Sequence, residues 1–161
     1  MAAEKKKDES DLLIISRNRR ATHEYHLVET LECGIVLTGT EVKSLRENAG
    51  NLDDAYAKIE NGEVWLLGMH IQPYANATSF GAHDPDRRRK LLLHKREIAN
   101  MEQAVKEKSL VLVPLTMRFN DDGRVKLDIA IARGKKTYDK RHAIAARDSA
   151  RDEERETRRR R

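Results

Sequence analysis

Six histidines, at positions 23, 26, 70, 83, 94 and 142, and the adjacent acids Asp53-Asp54 and Asp121-Asp122 are the groups in this chain suited to bond-breaking chemistry. A metal site or an acid–base pair needs such groups on one face, and H-x-x-x-H or H-E-x-x-H on a helix is the sequence form of that need. Neither spacing occurs. His23 and His26, three apart on an expected strand, point to opposite faces. The acid pairs fall at a strand start and a turn, where solvated carboxylates are ordinary. There is no Walker loop, no G-x-S-x-G elbow and no Gly-rich fingerprint after a strand. A small nuclease acting on structured RNA through a histidine is the enzymatic alternative. The stronger reading is a binding protein, not an enzyme, with no catalytic residue, cofactor or metal.

The basic residues carry more of the argument. Arg17, Arg19 and Arg20 surround Asn18, and Arg87-Arg88-Arg89-Lys90 followed by Lys95-Arg96 sets six positive charges within ten residues. Gly134-Lys135-Lys136 and Lys140-Arg141 flank Tyr138. Each cluster alone is equally well a solvated face. Together they suit phosphate contacts, with Tyr138 able to stack on a base between them. The net charge of +5 divides unevenly: residues 1–132 hold 20 Lys/Arg against 21 Asp/Glu, and residues 133–161 hold 12 against 6. A near-neutral body with a basic arm points to a polyanionic partner, nucleic acid first. Arg147, Arg151 and Arg155 recur every four residues, and Asp148–Arg151, Asp152–Arg155 and Glu154–Arg158 have helical ion-pair spacing. At about 0.2–0.5 kcal/mol each, such pairs cannot hold a lone helix, so the arm should be disordered when free and fold on its partner.

The elements that position these residues are legible in outline. Residues 1–15 read as a disordered lead-in, 16–132 as the folded body and 133–161 as the arm. From Thr22 to Thr38 two strands are expected, with Tyr25 and Leu27 alternating with polar neighbours and Cys33–Leu37 buried. A short helix should follow to Arg46, capped by Thr40. Strands 52–60 and 63–71 meet across Asn61-Gly62, a pair suited to a type I′ turn. Asp84-Pro85 resembles a helix start, and Leu92, Ile98, Met101 and Val105 give the segment 86–108 a helical period, although Leu91-Leu92-Leu93 also suits a short strand. Leu110–Phe119 and Arg124–Ala132 form a second hairpin around Asn120-Asp121-Asp122-Gly123. Six or so antiparallel strands with a few short helices predict a small barrel or closed sandwich.

Composition agrees with one small domain. The chain has 161 residues, and its seven aromatics (two Phe, one Trp, four Tyr) leave an aliphatic core. The single Cys33 excludes an internal disulfide. The apolar run Leu110–Leu115 is too short to span a membrane, and Leu12–Ile15 after Lys5–Lys7 is too short for a signal peptide. A soluble, cytoplasmic protein without a membrane partner is expected.

Four stretches together carry a family likeness. NRRATHEY (Asn18–Tyr25), GIVLTGTEVKSLR (Gly34–Arg46), RKLLLHKREI (Arg89–Ile98) and ARGKKTYDKR (Ala132–Arg141) closely resemble, in order and spacing, the SmpB family of SsrA-binding proteins. The resemblance implies an oligonucleotide-binding-type (OB-like) antiparallel barrel with flanking helices and no catalysis. It implies a monomer that binds the tRNA-like domain of transfer-messenger RNA. With elongation factor Tu, it would carry that RNA into the empty A site of the small ribosomal subunit of a stalled ribosome, for trans-translation. By motif position Asn18, His23, Tyr25, Glu32, Glu41, Lys43, Ser44 and Leu92 fall on the RNA-binding side. The clustered Arg20, Arg87, Arg89 and Lys90 join them. Glu32 and Glu41 would accept from base amino groups or sugar hydroxyls, or else orient a nearby cation. Arg133, Lys135, Lys136, Tyr138, Asp139, Lys140 and Arg141 match the segment that enters the decoding centre, with helix expected beyond it on the ribosome. Thr22 stands where many members carry a basic residue, and Tyr138 where some carry histidine.

Overall fold

The computed structural model describes residues 14–78 and 81–159. In chain order its elements are β1 (Ile14–Arg17), α1 (Ala21–Glu24), β2 (Tyr25–Ile35), α2 (Gly39–Arg46), β3 (Gly50–Asn51), β4 (Tyr56–Glu60) and β5 (Glu63–Leu67). Then come β6 (His70–Ile71), β7 (Arg89–Leu92), α3 (Lys95–Lys108), β8 (Val111–Phe119), β9 (Val125–Gly134) and α4 (Thr137–Arg159). The main sheet runs β1-β8-β4-β5-β7-β2-β9, and β9 also pairs with β8. All pairings are antiparallel. The β8–β9 pairing closes six strands into a ring, and closure removes the free edges an open sheet would leave. The expected barrel is there.

Alternation places the core inside that ring. On β5, Val64 and Leu66 point inward and Trp65 outward; on β7, Leu91 points inward and Leu92 outward. Leu45 from α2 and Met101 from α3 close the interior against Met117, Leu127 and Ile129. Among the described residues the buried hydrophobics are aliphatic, methionine and Cys33, without a ring among them. Each large buried side chain contributes about 1.5–3 kcal/mol.

Both hairpins form. At the first, Asn61 and Gly62 take φ of 52° and 72°, the positive values a type I′ turn needs, although the paired strands are only Tyr56–Glu60 and Glu63–Leu67. In the second, the Asn120 side chain accepts from Arg124 N at 2.8 Å, and Gly123 has φ 74°.

Elsewhere tertiary pairing overrides the local reading. The two strands expected over 22–38 are one turn of helix, α1, followed by an uninterrupted β2. Asn18 Oδ1 accepts from Ala21 N at 3.1 Å and folds the chain back, so that Ala21 packs on Val113 and Ala132. The cap of α2 is Thr38, two residues before the expected Thr40, because Glu41 completes a reciprocal box with it. The helix expected from Asp84-Pro85 begins only at Lys95. Asp84 Oδ1 accepts from Asp86 N in a local turn, and Arg89–Leu92 pairs with β5 and β2 as β7. His94 N donates to Glu97 Oε2 at 2.8 Å and starts α3 instead. Ile14 and Ile15, expected in the lead-in, belong to β1, which pairs with the distant β8. At the other end β9 runs on to Gly134, so Arg133 is barrel rather than arm. The arm itself is helical from Thr137.

Candidate nucleic-acid interface

Three of the sequence-predicted residues meet where α1 caps the barrel. Asn18 is 8% exposed; its N–H donates to Leu115 O at 2.8 Å, and its side chain holds α1. Arg20 is exposed and reaches Asp54 at 3.3 Å. Tyr25 is half-buried beside Ala21 and Val113. With β4, α3 and the start of β8, these residues line a cleft of about 610 Å³. His23 is half-buried, and its Nδ1 is buried with no hydrogen-bond partner among the described residues. The arm is tied to the same place. Lys135 N donates to Glu24 O, and Lys135 Nζ donates to Thr22 O, each at 2.9 Å. Tyr25 pairs with Gly134 and His26 with Arg133, so the arm leaves the barrel from beside α1.

The second group sits around α2 and corrects part of the expected site. Glu41 and Arg89 are both 0% exposed, and Ser44 is buried too. Direct RNA contact by these three is therefore unavailable in this fold. Glu41 Oε1 accepts from Arg89 Nε at 2.9 Å and from Arg87 Nε at 2.9 Å. Its Oε2 accepts from Arg87 Nη2 at 2.6 Å and Thr38 N at 2.8 Å. Arg89 Nη1 donates to Met69 O at 2.8 Å and Nη2 to Pro85 O at 3.0 Å. Burial by itself raises the Glu41 pKa, but the hydrogen bonds from Arg87 and Thr38 and the Arg89 charge outweigh it and hold the carboxyl below its ordinary value. Arg89 is shifted downward, chiefly by burial, with Glu41 opposing. One carboxylate thus locks two guanidiniums and ties the segment before β7 to α2. Arg87 stays partly exposed on the surface this creates, and exposed Lys43 lies 5.8 Å from the Tyr74 ring centroid.

The outer face of the sheet carries the rest. Leu92 is 52% exposed, and a Cβ added at Gly34, its partner on β2, would lie 3.4 Å from Leu92 Cβ. Lys90 pairs with Glu63. Glu32 is bound to Arg118, which also holds Asp128. The hydrogen bond to Asp128 leads in raising the Arg118 pKa. Arg88 lies over the Trp65 ring at 4.5 Å from its centroid. In the core below, burial first and Asp128 second push the Cys33 thiol up to about 12, which leaves it unreactive.

Sequence reasoning missed several of these partners. His83 is buried; its Nε2 donates to Ile71 O and its Nδ1 accepts from Thr40 Oγ1, both at 3.1 Å, pinning the connection between β6 and β7 to α2. No local signal marks it, since both partners are distant in sequence. Arg118 and Trp65 were legible only as strand residues. Among the described residues no His/Cys/Asp/Glu group is placed to hold a metal.

Exposed cations and aromatics on a closed antiparallel ring, with a basic arm leaving beside them, define a barrel protein of the nucleic-acid-binding class. Comparison with known proteins narrows the class. The family model described as SmpB protein matches residues 15–159. The SsrA-binding protein of Desulforamulus reducens is 52% identical over 158 residues, 98% of each chain. That of Thermobifida fusca is 51% identical over 162 residues, covering both chains entirely. A solved chain from "tmRNA-SmpB: a journey to the center of the bacterial ribosome" superposes with TM-score 0.62 at 46% identity, covering 75% of this chain and 84% of that one. The chain belongs to the SmpB family of SsrA-binding proteins.

Proposed function

We propose that this protein binds transfer-messenger RNA and serves ribosome rescue by trans-translation. The observation that carries the reading is the extent of the likeness: it runs from residue 15 to 159, through barrel and arm alike, and so includes both basic regions. On this reading the barrel holds the tRNA-like domain through Asn18, Arg20, His23, Tyr25, Glu32, Lys43, Arg87, Lys90 and Leu92. Glu41, Ser44 and Arg89 support that surface from beneath. The protein acts as a cytoplasmic monomer without catalysis, delivered with elongation factor Tu to the empty A site. Arg133, Lys135, Lys136, Tyr138, Asp139, Lys140 and Arg141 then face the decoding centre, and the following helix occupies the empty messenger channel. A messenger strand and that helix exclude each other sterically, which lets the arm sense a missing message.

Two measurements test the reading. Transfer-messenger RNA should bind far more tightly than an unrelated folded RNA of similar length. Replacing Tyr138, Lys140 and Arg141 together with alanine should block peptide tagging on stalled ribosomes while leaving transfer-messenger RNA binding nearly intact. Normal tagging by that variant would reduce the arm to an electrostatic accessory. Specific RNA turnover lost in His23→Ala would favour the nuclease alternative.

A further inference from the structure

We propose that the cleft between α1, β4 and the start of β8 receives one unstacked nucleobase of the bound RNA, a guanine held by the Asp53 carboxylate. This rests on the RNA-binding reading above and names a contact that reading does not contain. At about 610 Å³ the cleft lies in the range of small-ligand sites, large enough for a single nucleotide. Its inner surface is mainly apolar, formed by Ala57, Val111 and Val113, with Tyr25 and Tyr56 among its walls. Tyr56 is 51% exposed, and its ring makes no cation contact among the described residues, unlike Tyr74 and Trp65. An exposed aromatic beside an apolar floor is suited to a base ring, since stacking is the way proteins hold bases that leave their helix.

The rim selects which part of the RNA enters. Asp53, Asp54, Glu24 and Glu102 set four carboxylates against Arg20, Lys58 and Lys106. A phosphate would meet more repulsion than attraction there, so the backbone stays at the mouth and the base goes in. Asp54 is engaged by Arg20 at 3.3 Å, whereas the Asp53 carboxylate makes no ion pair or hydrogen bond among the described residues. Its backbone is fixed nonetheless, because Asp53 N donates to Asn51 Oδ1 at 2.8 Å. A carboxylate is acceptor-only, and guanine presents two adjacent donors, N1–H and the N2 amino group, matched to its two oxygens. Adenine, cytosine and uracil each set an acceptor beside their donor on that edge. Arg20, at the same rim, supplies the cation for the neighbouring phosphate. The site is continuous with Asn18 and Tyr25, which the family motif assigns to the RNA side.

The test uses full-length protein and transfer-messenger RNA at one fixed salt concentration. Tyr56→Ala and Asp53→Asn should each weaken binding about tenfold, within the range of a lost base stack, while Tyr56→Phe binds as wild type. Kethoxal attacks guanine at N1 and N2. One guanine should be protected in the wild-type complex and reactive again in the Asp53→Asn complex. Both substituted side chains are exposed, so neither substitution removes a core contact, and an unchanged thermal unfolding midpoint checks that each variant folds. Tight wild-type binding with both variants within twofold of it would overturn the proposal, as would guanine protection independent of Asp53. Wild-type protein that does not bind transfer-messenger RNA would overturn the parent reading and, with it, this cleft's role.

Discussion

Glu41 is best understood through the charge it neutralises. Removing it leaves the Arg89 guanidinium fully buried with only two carbonyl partners, and Arg87 unanchored. Breaking one side of a buried pair costs about 3–5 kcal/mol. Glu41→Ala should therefore lower unfolding stability by roughly that amount in urea titration, with RNA affinity falling as a consequence of misplaced Arg87. An unchanged stability with weakened RNA binding would return Glu41 to the interface. The same carboxyl sets a pH dependence. Its folded-state pKa lies below the ordinary 4.5, so its contribution is complete above pH 4.5 and is lost as pH falls through the depressed value. Glu41→Gln should flatten the acid limb of stability against pH and leave the neutral-to-alkaline limb unchanged in shape.

At the scale of elements, turns decide which surfaces meet. Gly68 ends β5 with φ +72°, and a Cβ there would stand 2.5 Å from Asp54 O, in the turn that carries Asp53. Gly62 has the same φ, yet a Cβ would meet nothing within 4 Å. A left-handed backbone alone costs a non-glycine residue about 1–2 kcal/mol. Gly62→Ala should lose about that much. Gly68→Ala should lose clearly more, because the Asp53-Asp54 turn must move as well. Thermal unfolding of the two variants compares them directly, and equal losses would show that the turn yields without cost. The hairpins were readable because Asn61-Gly62 and Gly123 state their conformation locally. The start of α3 was not, since Asp84-Pro85 offers a plausible cap, and only pairing with β5 and β2 keeps residues 89–92 extended.

For the whole molecule, the division of charge between barrel and arm becomes a measurable division of labour. Arg133 and Gly134 pair with β2, and Lys135 is bonded to α1, so truncation should begin at Lys136 to spare the barrel. That truncated protein should keep most of its affinity for the tRNA-like domain at moderate salt. The slope of log affinity against log salt should fall by about 0.7–0.9 for each phosphate contact the arm made. Abolished binding would show that the arm, not the barrel, carries the affinity. The described part of α4 is exposed along its length.

The amino-acid sequence by itself determined the class of the molecule. Alternating apolar residues dictate antiparallel strands, the scarcity of rings dictates an aliphatic core, and the four ordered motifs from Asn18 to Arg141 identify the family. It also determined that the arm holds no core, because among residues 133–161 only Ile144 is a large aliphatic. Which basic residues reach the surface was decided by tertiary structure alone. Arg87, Arg88, Arg89 and Lys90 are indistinguishable as a run of charge, yet Arg89 is buried against Glu41, Arg87 reaches the same carboxylate from the partly exposed rim, and Arg88 and Lys90 stay on the outer face. The same holds for Glu32 and Glu41, two matching carboxylates that became a surface pair with Arg118 and a buried clasp. Their fates depend on partners 86 and 48 residues away, and no local pattern of side chains encodes a distance of that kind.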